Sequence, residues 1–235
     1  PWIDMEEKMR SEGLELWSLE SFTPVKTFDF VGFSLQYEMI YTNILNMLAL
    51  AKIPQQSAAR GDSDPFIVGG GPCVYNPEPV AEFFDLFIIG EGEEVIEELT
   101  DSFIEWKMAQ CPGDRTAFLR RAAQIEGIYV PSLYEVTYDG AKVTGVTPIV
   151  PEAKTLVYKR VIKDMDAVTF AEKPVVPYID IVHDRLMLEL FRGCTRGCRF
   201  CQAGMTYRPV RERSPQRLRE LANTMESSTG YDEMS

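Results

Sequence analysis

The stretch DLFIIGEGE, residues 85–93, decides the fold class of this chain. Its apolar positions, residues 86–89, end on a glycine, which is typical of a short strand buried on both faces of a sheet. Two similar runs precede it, FDFVGFS at residues 28–34 and PFIVGGG at residues 65–71. We therefore predict one buried strand from each of the three runs.

Helical segments alternate with these strands. We predict helices over residues 37–53, 77–84 and 93–108, and the third has its apolar side chains on one face. An alternation of strand and helix is typical of a parallel sheet covered on both sides. The expected fold is therefore α/β, a doubly wound and Rossmann-like parallel sheet.

The carboxyl ends of the predicted strands carry small and polar residues. Ligands of doubly wound sheets bind at this edge, where we place Ser34, Gly69, Gly70, Gly71 and the GEGE turn of residues 90–93. Glycine lets the backbone approach a ligand closely, but tight strand-to-helix turns use it as well. Both interpretations stay open from the spacing alone.

The rest of the chain predicts a connector and the start of another α/β domain. A helix is expected over residues 116–124 and a β-hairpin around the turn of Asp139 and Gly140. A strand is expected in RLMLELF, residues 185–191, and a helix over residues 215–226, where Ser214 is a good N-cap.

Three domains follow from this pattern. We assign residues 1–130 to the α/β domain, residues 131–180 to the hairpin and an extended connector, and residues 181–235 to the start of a further α/β domain. This terminal segment supplies roughly one strand-helix unit and, in YDEMS at residues 231–235, the start of a second strand. We therefore expect the chain to be part of a longer protein and to lack turnover by itself, with self-association through apolar faces at residues 186–191 and 215–226.

Composition limits the partners. The formal net charge of −12 argues against non-specific binding to nucleic acid or to anionic membranes, because the field would repel polyanions. There is no apolar run long enough for a membrane span and no leader-like start, so we expect a cytoplasmic location.

The stretch RGCTRGCRFCQAG, residues 192–204, contains three of the five cysteines, Cys194, Cys198 and Cys201. A disulfide framework is not expected in a cytosolic chain, and a structural zinc site needs a fourth ligand. The single histidine, His183, is eleven residues upstream of the first of these cysteines. The spacing favours a cluster that needs only three protein ligands, although a metal or electron-transfer module with an outside fourth ligand stays an alternative.

The same stretch resembles the three-cysteine motif of the radical SAM enzymes. The resemblance implies that Cys194, Cys198 and Cys201 bind a [4Fe-4S] cluster and that S-adenosylmethionine chelates the open iron. It also implies an electron donor and a 5′-deoxyadenosyl radical that abstracts hydrogen from a substrate, with Phe200 near the adenine. A core aromatic under the loop is a second interpretation of Phe200 and is compatible with the first. The resemblance further implies that residues 181–235 are the start of a radical SAM (β/α) barrel, which usually has about six strand-helix units.

The resemblance extends upstream. The pattern VGFS, IVGGGP and DLFIIGEGEE is similar to the cobalamin-binding-like domain of an uncharacterised group of radical SAM proteins. It implies that cobalamin could bind over Ser34 and Gly69 to Gly71. The Asp-x-His-x-x-Gly signature of the lower axial ligand is absent, so a purely structural domain is the alternative, and neither substrate nor reaction is identified.

Arginine residues gather around the cysteines in this otherwise acidic chain. Ion pairing with acidic neighbours and a site for an anion are two interpretations of the cluster, which comprises Arg192, Arg196, Arg199, Arg208, Arg211, Arg213, Arg217 and Arg219. Cys73 and Cys111 are far apart and receive no role.

Overall fold

The computed structural model describes residues 2–109, 114–179 and 181–235. The chain divides into two compact units, one up to Arg160 and one from Val161 onward. The three-domain division expected from the sequence stays a prediction.

The described part of the first unit contains strands and helices in alternation. The helices are α1 (Ile3–Glu12), α2 (Tyr41–Leu50), α3 (Gly92–Met108) and α4 (Arg115–Ala122). The strands are β1 (Phe30–Ser34), β2 (Phe66–Gly70), β3 (Leu86–Ile88), β4 (Ile128–Tyr129), β5 (Tyr134–Asp139) and β6 (Lys142–Pro148).

The main sheet has the order β1-β2-β3-β4. The first three strands are parallel, with Phe30 beside Phe66 and Val68 beside Leu86, which confirms the predicted parallel core. Strand β4 pairs with β3 in the antiparallel direction and was not predicted, because two residues carry no detectable alternation.

Apolar side chains pack on both faces of this sheet, as the α/β prediction requires. On one face Phe66 and Leu86 pack with residues of α3 and α4, among them Phe103 and Phe118. On the other face Ile67, Phe84 and Phe87 pack with Ile44 and Leu48 of α2. Neighbouring residues of one strand thus enter different cores, because successive side chains of a strand point to opposite faces.

Two local features differ from prediction. The segment expected as a helix at residues 77–84 is a 3₁₀ helix, Glu78–Phe83. Pro77 and Pro79 remove two backbone donors from this short segment, which favours the tighter turn over an α-helix. Helix α1 was not predicted and buries only Met9.

The hairpin is confirmed. Strands β5 and β6 pair from Tyr134 opposite Pro148 to Asp139 opposite Lys142. Gly140 in the turn has a φ of 58°, a conformation that favours glycine.

The second unit contains β7 (Phe191–Arg192), α5 (Ala203–Thr206), β8 (Arg211–Glu212) and α6 (Pro215–Thr229). The strand predicted at residues 185–191 is shorter than expected, since β7 begins only at Phe191 and pairs antiparallel with β8. Upstream of β7, Leu186 lies in a parallel bridge with Met234. The Leu186 N–H donates to the Glu233 carbonyl at 3.0 Å, and the Ser235 N–H donates to the Leu186 carbonyl at 2.9 Å.

This bridge pairs the segment upstream of the cysteines in parallel with the segment after α6, where the sequence predicts the start of a second strand. Helix α6 begins as expected, since the Ser214 hydroxyl accepts a hydrogen bond from the Arg217 N–H at 3.1 Å. Its apolar side chains Leu221 and Met225 are buried, so the expected exposure of this helix face is wrong.

No helix in the described ranges is both long enough and apolar enough to cross a membrane.

Candidate cofactor site

The cysteine loop, residues 193–208, directly follows β7, and the segment upstream of β7 has a parallel bridge between Leu186 and Met234. It therefore lies beyond the carboxyl end of that segment and before helix α6. Loops in this position form the ligand sites of α/β folds, because there they gather at one edge of the sheet.

Glycines let the cysteine loop fold back on itself. Gly193 has a φ of 99°, and a Cβ there would lie 2.6 Å from the Pro209 carbonyl oxygen and 2.8 Å from that of Tyr207. Gly197 also lies in the left-handed region, at 68°. A side chain at Gly193 would push the two arms of the loop apart, so this position requires glycine.

The three cysteines of the loop have free thiols. Cys194 and Cys201 are half-buried and Cys198 is exposed. The loop contains no histidine, aspartate or glutamate, so its donor set consists only of soft sulfur ligands. Thiolates are the ligands that iron-sulfur clusters use, and the chemistry of this set fits such a cluster.

The structure does not bring these thiols together around a centre. Across residues 2–109, 114–179 and 181–235, no three histidine, cysteine, aspartate or glutamate side chains are arranged to hold a metal ion. The main-chain contacts within the loop are local, with the Cys201 N–H donating to the Cys198 carbonyl at 3.1 Å. The assignment of the three cysteines as ligands stays a prediction.

The arginine cluster divides into two groups. Arg192 and Arg213 both pair with Glu189, at 2.7 Å and 3.2 Å, and Arg217 pairs with Glu172 at 2.9 Å. The guanidinium of Arg213 is buried and also donates to the Met165 carbonyl. For these arginines the ion-pairing interpretation is correct.

The arginines inside the cysteine loop behave differently. Arg196 and Arg199 are exposed, and neither has an ion pair with any described residue. Arg208 donates from Nε to the Cys194 carbonyl at 3.2 Å, a contact that the sequence did not predict. The positive charge beside the cysteines is thus partly available for an anionic ligand.

Phe200 is 91% exposed, so its interpretation as a core aromatic is wrong. Its neighbours at residues 195–199 are exposed as well. Flat aromatic faces bind nucleobases by stacking, and this side chain is available for that contact.

The predicted ligand edge of the first unit is partly filled by the chain itself. A Cβ on Gly69 would lie 2.5 Å from the Phe87 ring, so this glycine serves packing between β2 and β3. Gly71 has a φ of 92°, and a Cβ there would lie 3.0 Å from the Leu35 carbonyl oxygen. Packing between strands therefore accounts for Gly69, and the turn interpretation accounts for Gly71.

Ser34 and Gly70 remain accessible at this edge. They are register partners at the ends of β1 and β2, and nothing lies within 4 Å of the position of a Cβ on Gly70. The Ser34 hydroxyl accepts a hydrogen bond from Gln36 Nε2 at 2.8 Å. The structure therefore brings two of the four predicted corrin-contacting residues together at an open position.

The GEGE turn after β3 is covered by its own chain. The Arg160 N–H donates to the Ile89 carbonyl at 2.8 Å, and the Glu91 N–H donates to the Arg160 carbonyl at 3.1 Å. The Arg160 guanidinium also pairs with Glu94 and Glu98, at 2.6 Å each. A Cβ on Gly90 would overlap the Arg160 backbone, so this turn packs against the chain.

The other histidine and cysteine residues of the chain, which the sequence analysis gave no role as ligands, lie outside the cysteine loop. His183 Nδ1 lies 3.2 Å from Arg185 Nη2. Cys73 is buried beside Tyr41, and burial raises the pKa of the Cys73 thiol and raises the pKa of Tyr41 to about 12. Cys111 lies outside the described residues.

A cavity in the first unit was missed by sequence reasoning. Its walls include Tyr129, Tyr134 and Tyr138, which the sequence places in and beside the predicted hairpin. The only available signal was the density of tyrosines in IYVPSLYEVTYDG, residues 128–140, which strand propensity explains equally well.

Comparison with known proteins independently supports the resemblance to radical SAM proteins. Residues 1–131, more than half of the chain, match the family described as radical SAM proteins, N-terminal. An uncharacterized protein of Methanocaldococcus jannaschii is 28% identical over 221 residues, which cover 92% of this chain and 39% of that relative. The chain thus spans about two fifths of the length of this relative. The matched region is the α/β unit with the sheet described above, and the chain belongs to the radical SAM proteins.

Proposed function

We propose that this chain is part of a radical SAM enzyme whose [4Fe-4S] cluster is held by Cys194, Cys198 and Cys201. One observation carries the proposal: the three free thiols lie on one loop, downstream of a segment that pairs in parallel, through the bridge of Leu186 with Met234, with the chain after helix α6. Family membership supports it, because radical SAM proteins in general use this cluster together with S-adenosylmethionine.

When bound, such a cluster supplies the electron that cleaves S-adenosylmethionine into methionine and a 5′-deoxyadenosyl radical. In this proposal the three cysteines hold the cluster. Arg196 and Arg199 offset the negative charge of thiolates and carboxylate. Phe200 offers its exposed ring to the adenine. An electron donor is a required partner, and oxygen-sensitive thiolates suit a cytoplasmic location.

Anaerobic reconstitution with iron and sulfide tests the proposal. We expect about four irons per chain, as the cluster formula requires, and an absorption spectrum that changes when S-adenosylmethionine is added. Cys198→Ala should lose most of the bound iron, whereas Cys73→Ala, which removes a thiol outside the loop, should retain it. One tightly bound zinc without a response to S-adenosylmethionine would instead identify a non-catalytic metal module.

For the first unit we propose a structural role without a corrin. Phe87 and Leu35 fill the space beside two of its three edge glycines, Gly69 and Gly71. No histidine lies among the described residues of this unit. Titration with hydroxocobalamin should therefore leave the visible spectrum of the corrin unchanged. A spectral shift that Gly70→Val abolishes would establish corrin binding at this edge.

A further inference from the structure

A cavity of about 690 Å³ lies in the first unit, between the 3₁₀ segment Glu78–Phe83 and the hairpin strand β5. Small-molecule sites in proteins have volumes of about 300–1,000 Å³, so the cavity is large enough for a ligand of that kind.

Three tyrosines form its aromatic wall. The ring centroids of Tyr129 and Tyr134 are 4.9 Å apart, and the Tyr129 ring stacks on Phe87 at 6.4 Å. The Tyr134 hydroxyl donates to the Lys154 carbonyl at 2.8 Å, which holds this ring in place. Tyr138 is 56% exposed and lies toward the solvent.

A carboxylate connects two of these tyrosines. The Tyr129 hydroxyl donates to Glu78 Oε1 at 2.7 Å, and the Tyr138 hydroxyl donates to Glu78 Oε2 at 3.4 Å. Burial, together with the hydrogen bond to Glu78, raises the pKa of Tyr129 far above its ordinary value. The Tyr129 hydroxyl therefore stays protonated and remains a donor to the Glu78 carboxylate.

The cavity carries negative charge without a cation. Glu78 and Glu82 both line it, whereas no lysine, arginine or histidine among the described residues does. Neither carboxylate has an ion pair among the described residues. The partly buried Glu15 and Glu189, in contrast, each pair with two basic side chains.

We propose that this cavity binds an aliphatic diamine or polyamine. A desolvated ammonium group is attracted both by the carboxylates and by the faces of aromatic rings. Glu78 and Glu82 lie four residues apart on one 3₁₀ segment, and together they provide positions for two ammonium groups. The same charges repel phosphate-bearing ligands, and the net charge of −12 attracts polycations.

Calorimetric titration of the chain with spermidine tests this site. We expect saturable one-to-one binding, and Glu78→Gln should weaken it about tenfold, because a charge-assisted contact is lost. Glu82→Gln should weaken it as well, and since Glu82 is exposed, this variant keeps the test valid if the Glu78 variant fails to fold.

The matched control is Glu97→Gln. Glu97 is exposed on α3 and outside the cavity, so this variant removes the same charge without touching the site. We expect its spermidine affinity to equal that of the unmodified chain. Equal weakening by the Glu97 and Glu78 substitutions, no binding of spermidine, or binding only of a lysine-rich peptide would overturn the proposal. None of these outcomes depends on the cysteine loop.

Discussion

The carboxyl edge of the first unit and the cysteine loop of the second unit can be compared, since each lies after a segment with a parallel partner, strands β1 and β2 in the first unit and the bridge at Leu186 in the second. The first edge is largely closed, with Leu35 and Phe87 against its glycines and the chain at Arg160 along the next turn. The cysteine loop keeps three free thiols and the exposed ring of Phe200. The comparison shows that a topological position only permits a ligand site, and that the local contacts decide whether the position is available.

The largest expected effect concerns the buried ion pair between Arg60 and Asp85 in the first unit. Arg60 is buried and pairs with Asp85 at 2.8 Å. Arg60→Met leaves a buried carboxylate with one cation fewer, and we expect a loss of about 3–5 kcal/mol in the free energy of unfolding. Urea denaturation measures it. Lys107→Met, which breaks the exposed pair with Asp29, should cost at most about 1 kcal/mol. Similar losses in the free energy of unfolding for both variants would show that burial does not decide how much an ion pair stabilises this protein.

The second prediction concerns the turn at Gly90, which packs against the Arg160 backbone. Gly90 has a φ of 108° beside the Arg160 backbone, so Gly90→Ala should destabilise the chain by about 1–3 kcal/mol or displace Arg160. Thermal unfolding would detect the lower stability, and limited proteolysis would detect a displacement of the chain near Arg160. Gly32→Ala is the control, because nothing lies within 4 Å of its Cβ position, and it should change stability by less than about 1 kcal/mol. A neutral Gly90→Ala would show that the turn is not closed as described.

The third prediction concerns pH and the second unit. Burial alone would raise the pKa of Glu189, but hydrogen bonds from Arg192 and Arg213 outweigh it and hold the pKa below 4.5. Its stabilising contribution is therefore present above pH 4.5 and is lost as the pH falls through the lower pKa of the folded state. We expect Glu189→Gln to destabilise the protein at neutral pH and to approach the unmodified chain in acid. The control is Glu212→Gln, an exposed substitution nearby in the sequence. Its free energy of unfolding should follow that of the unmodified chain as the pH changes.

The smallest expected effect concerns Arg196 in the cysteine loop. Arg196→Gln should change stability by less than about 0.5 kcal/mol, because the side chain is exposed and unpaired in the described structure. In reconstituted protein it should weaken S-adenosylmethionine binding about two- to fivefold, as expected for the loss of a solvent-exposed charge contact. Arg192→Gln should instead lower stability. If Arg196→Gln destabilises the fold, the loop arginines are structural as well.

Much of the fold could be predicted from the sequence. The strands ending at Ser34 and Gly70 are continuous apolar runs, and such runs have few alternatives when helices separate them. Strand β4 and the limits of β7 could not be predicted, because strands of two residues depend on their partners for definition. The cysteine spacing indicated the candidate site, whereas the Arg208 contact to the Cys194 carbonyl needed the folded loop.

The sequence by itself determined the three parallel core strands, the α/β class and the three-thiol motif, because apolar periodicity and residue spacing are properties of the chain alone. Only the tertiary structure decided which glycines face protein and which face open space, and which arginines pair with carboxylates. It also decided that Phe200 is exposed and that Glu78 lies between two tyrosines in a cavity. These outcomes depend on contacts between residues far apart in the chain, such as Glu78 with Tyr129, and local patterns do not encode them.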